Sequence, residues 1–219
     1  MDPLRDLESE EFFLENIPAL VSAKMNNALT SPPTPDKIKA IVFSFSPDKT
    51  PGSDGFSTDF YQKFWEMIRI DMCHMVGYSF KRFIMAGGIN TSFLALIPKE
   101  SNPSSFSRFC PISLCNVSYK FILKLLASRI KSLLPLLISA NQGGFVLGRQ
   151  IFDNVILLQE DNDSSWRRGD EGMIIKLDMT NVFDRVIHSF LLKVLKNIGF
   201  DETFIKWISL CISSPWIAL

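Results

Sequence analysis

The chain has 219 residues, 47% of them hydrophobic and 21% charged, so it can bury a core and is not a disordered polymer. Its formal net charge is zero, which argues neither for nor against a nucleic-acid partner. Four cysteines and two histidines lack paired metal-ligand spacing, which argues against a Cys/His zinc module.

Residues 1–20 carry six acids and one base and read as the start of a helical lead-in that ends at Ser31-Pro32-Pro33. Thr34-Pro35-Asp36 then opens a helix, with Thr34 as the cap, a proline in the first turn and an acid at the positive end. Ile38, Ile41, Val42 and Phe45 follow at helical spacing. Ser46 to Gly55 is a run of turn formers and is predicted to be a loop. A long amphipathic helix is expected from Thr58, with Phe60, Phe64, Ile68, Met75, Phe80 and Phe83 on or near one face, ended by Gly87-Gly88.

Ser92 to Pro98 reads as a strand, and a second short strand falls near Pro111 to Cys115. Asn116 can cap a helix that runs through Val117, Phe121, Leu125, Ile130 and Leu133. Gly143-Gly144 marks a break, a helix is expected from Gln150 to about Glu160, and a polar loop from there to Gly172. Met173 to Asp178 has the pattern of a buried strand with an acid at its end. His188 to Ile198 is predicted helical and closed by Gly199, Asp201 opens another helix through Phe204, Trp207, Ile208 and Cys211, and Trp216 to Leu219 begins a strand.

Charge is unevenly spread. Residues 99–150 hold seven bases (Lys99, Arg108, Lys120, Lys124, Arg129, Lys131, Arg149) and one acid, Glu100, a net +6. Such a segment can face phosphates, or it can be a solvated helix face. The Leu-rich stretch 121–138 is interrupted by charges and Pro135, so no membrane span is expected. The acidic start does not resemble a signal peptide, and scattered thiols fit a reducing, intracellular compartment, nucleus or cytoplasm.

Asp178 is the main chemical candidate. A carboxylate at the end of an apolar strand is held rigidly and is the kind of ligand that Mg²⁺ takes. Spacing alone favours the plainer reading, that it caps a helix over Met179 to Val186.

The ordered blocks say more than any one residue. Lys176-Leu177-Asp178-Met179-Thr180-Asn181-Val182-Phe183-Asp184-Arg185-Val186 resembles the first palm motif of plant LINE-type (non-LTR) retrotransposon reverse transcriptases. Asp48 to Phe56 is similar to that family's Pro-Gly-Pro-Asp-Gly-Phe loop. Ala95-Leu96-Ile97-Pro98-Lys99 resembles its first finger strand, and Pro111 to Val117 with Tyr119-Lys120 the next strand and helix start. Gln142, Phe145, Gly148-Arg149 and Asp153-Asn154 resemble the following block. Gly199-Phe200 and Cys211 to Ser214 resemble the segment after the first palm motif. The blocks run in the family's order from about residue 38 onward.

The resemblance implies RNA-directed DNA polymerisation on an RNA template and a DNA primer. Asp178 and the Met179 carbonyl would bind Mg²⁺, and Phe183 would stand under the incoming sugar as a steric gate. Lys99 would reach the incoming triphosphate, and Arg149 and Lys120 would lie along template and primer phosphates. Alternatives stay open: Phe183 as a core residue, Lys99 as an ordinary surface lysine, and Asp54-Gly55 as a plain turn. The chain departs from the family at Cys110, where an arginine is expected before Pro-Ile-Ser-Leu, and at His188, where tryptophan is usual. Its residues contain no aromatic-Ala-Asp-Asp motif and no thumb region, so the isolated chain is expected to be inactive. The rival expectation is a non-catalytic nucleic-acid-binding or interaction module. The implied fold is α+β: a helical N-terminal region with the Pro-Gly-Ser-Asp-Gly loop over 1–90, then fingers and an incomplete palm over 91–219.

Overall fold

The computed structural model describes residues 10–140, 142–144, 146–169, 185–213 and 215–218. The described residues form a mixed helix and strand structure with one small sheet among them. In chain order come α1 (Ala23–Thr30), α2 (Pro35–Phe43), α3 (Thr58–Lys63), α4 (Trp65–Arg82), β1 (Thr91–Pro98) and β2 (Phe109–Cys115). Then follow α5 (Val117–Ile130), α6 (Leu134–Leu137), α7 (Ile151–Arg168), α8 (His188–Ile198), α9 (Glu202–Ser213) and β3 (Trp216–Ala218). The expected strand at 173–178 lies outside the described residues.

Capping explains where several helices start. The Ser22 hydroxyl accepts from the Met25 amide at α1, Thr34 from Lys37 at α2 and Ser57 from Phe60 at α3. Asp201 accepts from the Thr203 amide at 2.8 Å and starts α9. Gly199, at φ 100°, closes α8 as expected, and Val21 O would sit 3.0 Å from a Cβ there.

The expected single helix from Thr58 is two. It breaks at Phe64, and the buried stripe of α4 is Trp65, Met72, Val76 and Phe80 rather than Phe64, Ile68 and Met75. The stripe keeps a helical spacing of four and seven and includes the expected Phe80, while Trp65 takes the core site and leaves Phe64 half exposed, and Ile68 and Met75 pack partly buried against the core. The helix also stops before Gly87-Gly88. Phe83 itself adopts the left-handed conformation at φ 55°. That costs an L-residue about 1–2 kcal/mol, and it is offset by packing the Phe83 ring against the core beside Trp207.

The expected end of α7 near Glu160 is also moved. The helix runs to Arg168 and is closed by Gly169 at φ 71°. A capping box between Gln150 and Asp153 starts it, and Arg167 and Arg168 sit at its negative end, so the polar stretch after Glu160 has no reason to unwind.

In the sheet the order is β2-β1-β3. β1 and β2 are antiparallel, with Ser92 opposite Cys115 and Pro98 opposite Phe109, and β3 runs parallel to β1. The core lies among the helices. Its centre is α5, whose Val117, Phe121, Ile122, Leu125 and Leu126 are buried against Val42, Tyr61, Val76 and Phe80, with Phe204, Trp207 and Cys211 from α9 in the same cluster. The core therefore draws on both sides of residue 90.

Two asparagines hold the corners. The Asn26 amide donates to Gly199 O at 2.8 Å, and its oxygen accepts from the Asp201 amide at 2.9 Å, fixing α1 on the α8–α9 turn. Asn116 is buried at 2% exposure but makes no side-chain cap for α5. Its Oδ1 instead accepts from Ser53 Oγ and the Asp54 amide, both at 3.2 Å, and its Nδ2 donates to Gly88 O at 2.7 Å. A Cβ on Gly52 would stand 2.3 Å from Asn116 N and Oδ1 and 2.5 Å from Cys115 C, so the loop can reach this asparagine only with glycine there.

Asn116→Ala should lower stability by about 2 kcal/mol, since it strands two donors, the Ser53 hydroxyl and the Asp54 amide, and one acceptor, the Gly88 carbonyl. Gly52→Ala should cost a similar amount, about 1–3 kcal/mol, by steric overlap. Urea unfolding should show lower midpoints at unchanged slope, and an unchanged midpoint in both variants would contradict the junction.

Candidate nucleic-acid interface

The β1–β2 hairpin and the first turn of α5 carry two of the described candidates, Lys99 and Lys120, and the turn after α6 carries the third, Arg149. Lys99 follows the last residue of β1. Its amide donates to Arg108 O at 2.8 Å, closing the hairpin loop, while its exposed ammonium stands 3.4 Å from Ser107 O. Arg108 pairs with Glu100 at 3.1 Å, so each neutralises the other across the loop. Cys110 is exposed on β2, opposite Ile97. A neutral thiol there offers no charge-assisted donor to a phosphate.

Lys120 lies at the other end of the hairpin. It donates to Thr50 O at 3.0 Å and so holds the turn-rich loop rather than pointing free. From the loop at Lys99 back along β2 to the start of α5 is roughly 25 Å at 3.3 Å per residue. The fold therefore does not gather Lys99 and Lys120 into one site.

Two further bases of the +6 segment on α5 are also turned inward. Lys124 donates to Ser44 O at 3.0 Å and its ammonium stands 4.1 Å from the Phe45 ring centre. Burial first, then the neighbouring charges of Lys49 and Lys131, lowers its pKa. Arg129 donates to Leu29 O and, at 2.7 Å, to Ser31 O, and it lies 5.3 Å and 5.4 Å from the rings of Phe80 and Trp207. Its pKa is lowered by burial.

Arg149 is a clamp. Its guanidinium donates to Ser139 O, to Gln142 O at 3.0 Å, to Ile138 O at 3.1 Å and to Pro135 O at 3.4 Å, gathering the turn that follows α6. A fork that closes four carbonyls has little hydrogen-bonding capacity left for a phosphate. The Asp54-Gly55 stretch is a turn: the Gly55 amide donates to Gly52 O at 3.2 Å, and Asp54 Oδ1 accepts from the Phe56 amide at 3.1 Å.

Asp178, Met179 and Phe183 lie outside the described residues. Among the described residues no three of His, Cys, Asp and Glu come together to hold a metal ion. No helix among the described residues is long and apolar enough to cross a membrane.

The carbonyl partners of Lys120, Lys124, Arg129 and Arg149 had no signal in the sequence. They lie up to 100 residues from the side chains they bind, and composition records only that the bases are there.

Residues 97–218 match the family described as reverse transcriptase (RNA-dependent DNA polymerase). The match begins in β1 and ends in β3. The chain is also 30% identical over 207 residues to the transposon TX1 uncharacterized 149 kDa protein of Xenopus laevis. That alignment covers 94% of this chain but 16% of the other, so the chain spans about a sixth of that relative's length.

The thiols give a test of the packing around α5 and α9. Cys211 is buried, and burial pushes its pKa up to about 12. At pH 8 that leaves roughly one thiolate in ten thousand, while reaction also needs access. Native labelling with a disulfide reagent, read by mass spectrometry, should mark Cys110 first and Cys211 only on unfolding. Equal rates at the two would contradict the packing.

Proposed function

Because this chain belongs to the reverse transcriptase family, we propose that it forms part of the RNA-directed DNA polymerase of a non-LTR, LINE-type retrotransposon. The observation that carries the reading is the match itself. It takes in the end of β1, all of β2 and α5, and the Lys176 to Val186 block in one continuous stretch. Narrowing the source to plant elements rests on the wording of those blocks alone; the relative found is a frog transposon.

In this reading β1 and β2 are a finger hairpin and residues 173–178 the first strand of a palm. Residues 1–90 form a lead-in that braces α5. Lys99 is the cation that reaches the triphosphate, because its ammonium is exposed at the hairpin end and only weakly engaged. Phe183 excludes a 2′-hydroxyl by standing under the sugar. Asp178, with the Met179 carbonyl, would hold Mg²⁺, which when bound activates the primer hydroxyl and stabilises the leaving pyrophosphate. Lys120 and Arg149 act on nucleic acid indirectly, by fixing the loops that they hold.

Mg²⁺ keeps its waters unless several oxygens converge. These 219 residues offer Asp178 and contain no adjacent pair of aspartates. The isolated chain should therefore show no primer extension on an RNA template with Mg²⁺ or Mn²⁺, while still binding an RNA–DNA hybrid at low salt. Nucleotide incorporation that vanishes in Asp178→Ala would overturn the inactivity, and no hybrid binding at any salt would overturn the polymerase reading.

A further inference from the structure

A groove of about 530 Å³ opens between α1, α2 and the C-terminal end of α5. Lys24, Lys37 and Arg129 line it with Ser22 and Ser132, and Met25, Ala28, Leu29 and Leu133 form its apolar part. No carboxylate is among its lining residues. Asp36, the acid next to Lys37 in the chain, lines a different groove, with Lys39, Glu66 and Arg69.

The electrostatics are unbalanced. Lys24 and Lys37 are exposed and form no ion pair among the described residues. Arg129 is partly buried, and its guanidinium meets carbonyl oxygens and ring faces but no acid among the described residues. Carbonyl dipoles satisfy its N–H groups without neutralising its charge, and a partly buried charge without a counter-charge is costly. The first turns of α1 and α2, the positive ends of those helices, border the same groove.

We infer that this groove binds the phosphodiester backbone of single-stranded nucleic acid, with Lys24 and Lys37 on successive phosphates and the apolar floor under a sugar or base. The volume is that of a small-molecule pocket and far exceeds a bare anion. A single strand fits better than a duplex, because only an unpaired base can turn onto an apolar surface. The groove is also remote from the hairpin. Asn116, where β2 enters α5, and Ser132, at the groove, are separated by roughly 24 Å along the helix at 1.5 Å per residue. This is a second contact, apart from any made by Lys99. It rests on the polymerase reading only for the choice of RNA as the probe.

The test is fluorescence anisotropy of a short labelled single-stranded RNA across a potassium chloride series, with the full chain and with Lys24→Ala/Lys37→Ala. Both lysines are exposed, so circular dichroism should show an unchanged fold. Each single-strand phosphate contact contributes a slope of about 0.7 in log affinity against log salt. The double variant should therefore bind about tenfold more weakly at low salt, with a slope smaller by about 1.4. Unchanged affinity and slope would overturn the inference. So would a variant that loses pyrophosphate binding by calorimetry yet keeps full RNA affinity, since the groove would then take small phosphates and not a strand. An RNA–DNA hybrid titrated in parallel reports on the polymerase reading separately, because the hybrid does not need the groove.

Discussion

The fold depends on burying α5. One face of this helix carries Val117, Phe121, Ile122, Leu125 and Leu126, all 3% exposed or less. The surfaces that cover it come from both ends of the chain: α2, α3 and α4 on one side, α9 on another. Aromatic rings set the spacing. Tyr61 and Phe45 meet Phe121 edge-on at 5.2 Å and 5.3 Å, and Trp207 meets Phe80 at 4.5 Å while donating its indole N–H to Phe80 O at 2.9 Å. Tyr119, also on α5, donates to Cys211 O, and burial raises the pKa of its phenol. Edge-on and tilted ring contacts add to area burial, so the phenylalanine-rich composition finds its use here.

The bases on α5 complete this arrangement. Lys120 and Lys124 donate to the loop carbonyls of Thr50 and Ser44, and Arg129 donates to the Leu29 and Ser31 carbonyls where α1 ends. Segments without their own ladder must find other partners for buried or half-buried carbonyls. Cations on a neighbouring helix are strong ones. The +6 of residues 99–150 is thus in large part a scaffold charge, which holds the lead-in on the helix that begins after the hairpin. Lys99 beyond the hairpin and Lys131 past the end of α5 stay exposed, and in the proposed reading they are available to a nucleic acid together with Lys24 and Lys37 beside Arg129.

Elements with strong local signals were legible in the sequence. Thr34-Pro35-Asp36, Gly199 and Asp201 act through residues within four positions, and each marks a boundary where the chain sets it. The hairpin strands and β3 were legible from β-type runs. Phe64, Phe83 and the end of α7 were not, because tertiary packing chose Trp65 over Phe64 and paid the left-handed cost at Phe83. Asn116 was legible as a helix start but not as a junction. Its partners Ser53, Asp54 and Gly88 are 28 to 63 residues away. The same distance problem hid the partners of Lys124 and Arg129, and the turn that Arg149 clamps, 7 to 14 residues back, carried no pattern of its own; the basic residues pointed only to phosphates. Family blocks, by contrast, need no packing information, and the family followed from their order; Asp178, Met179 and Phe183 remain a reading of those blocks.

Lys124 separates a scaffold charge from a ligand charge most directly. Its Ser44 and Phe45 contacts are internal, and a methionine keeps the apolar stem while removing the ammonium. Measured together, urea unfolding and the salt dependence of RNA–DNA hybrid binding should show Lys124→Met less stable by about 1 kcal/mol, with hybrid affinity and slope unchanged. Unchanged stability with a slope smaller by about 0.9, one duplex phosphate contact, would mean that the lysine faces nucleic acid and that the bracing account of α5 is wrong.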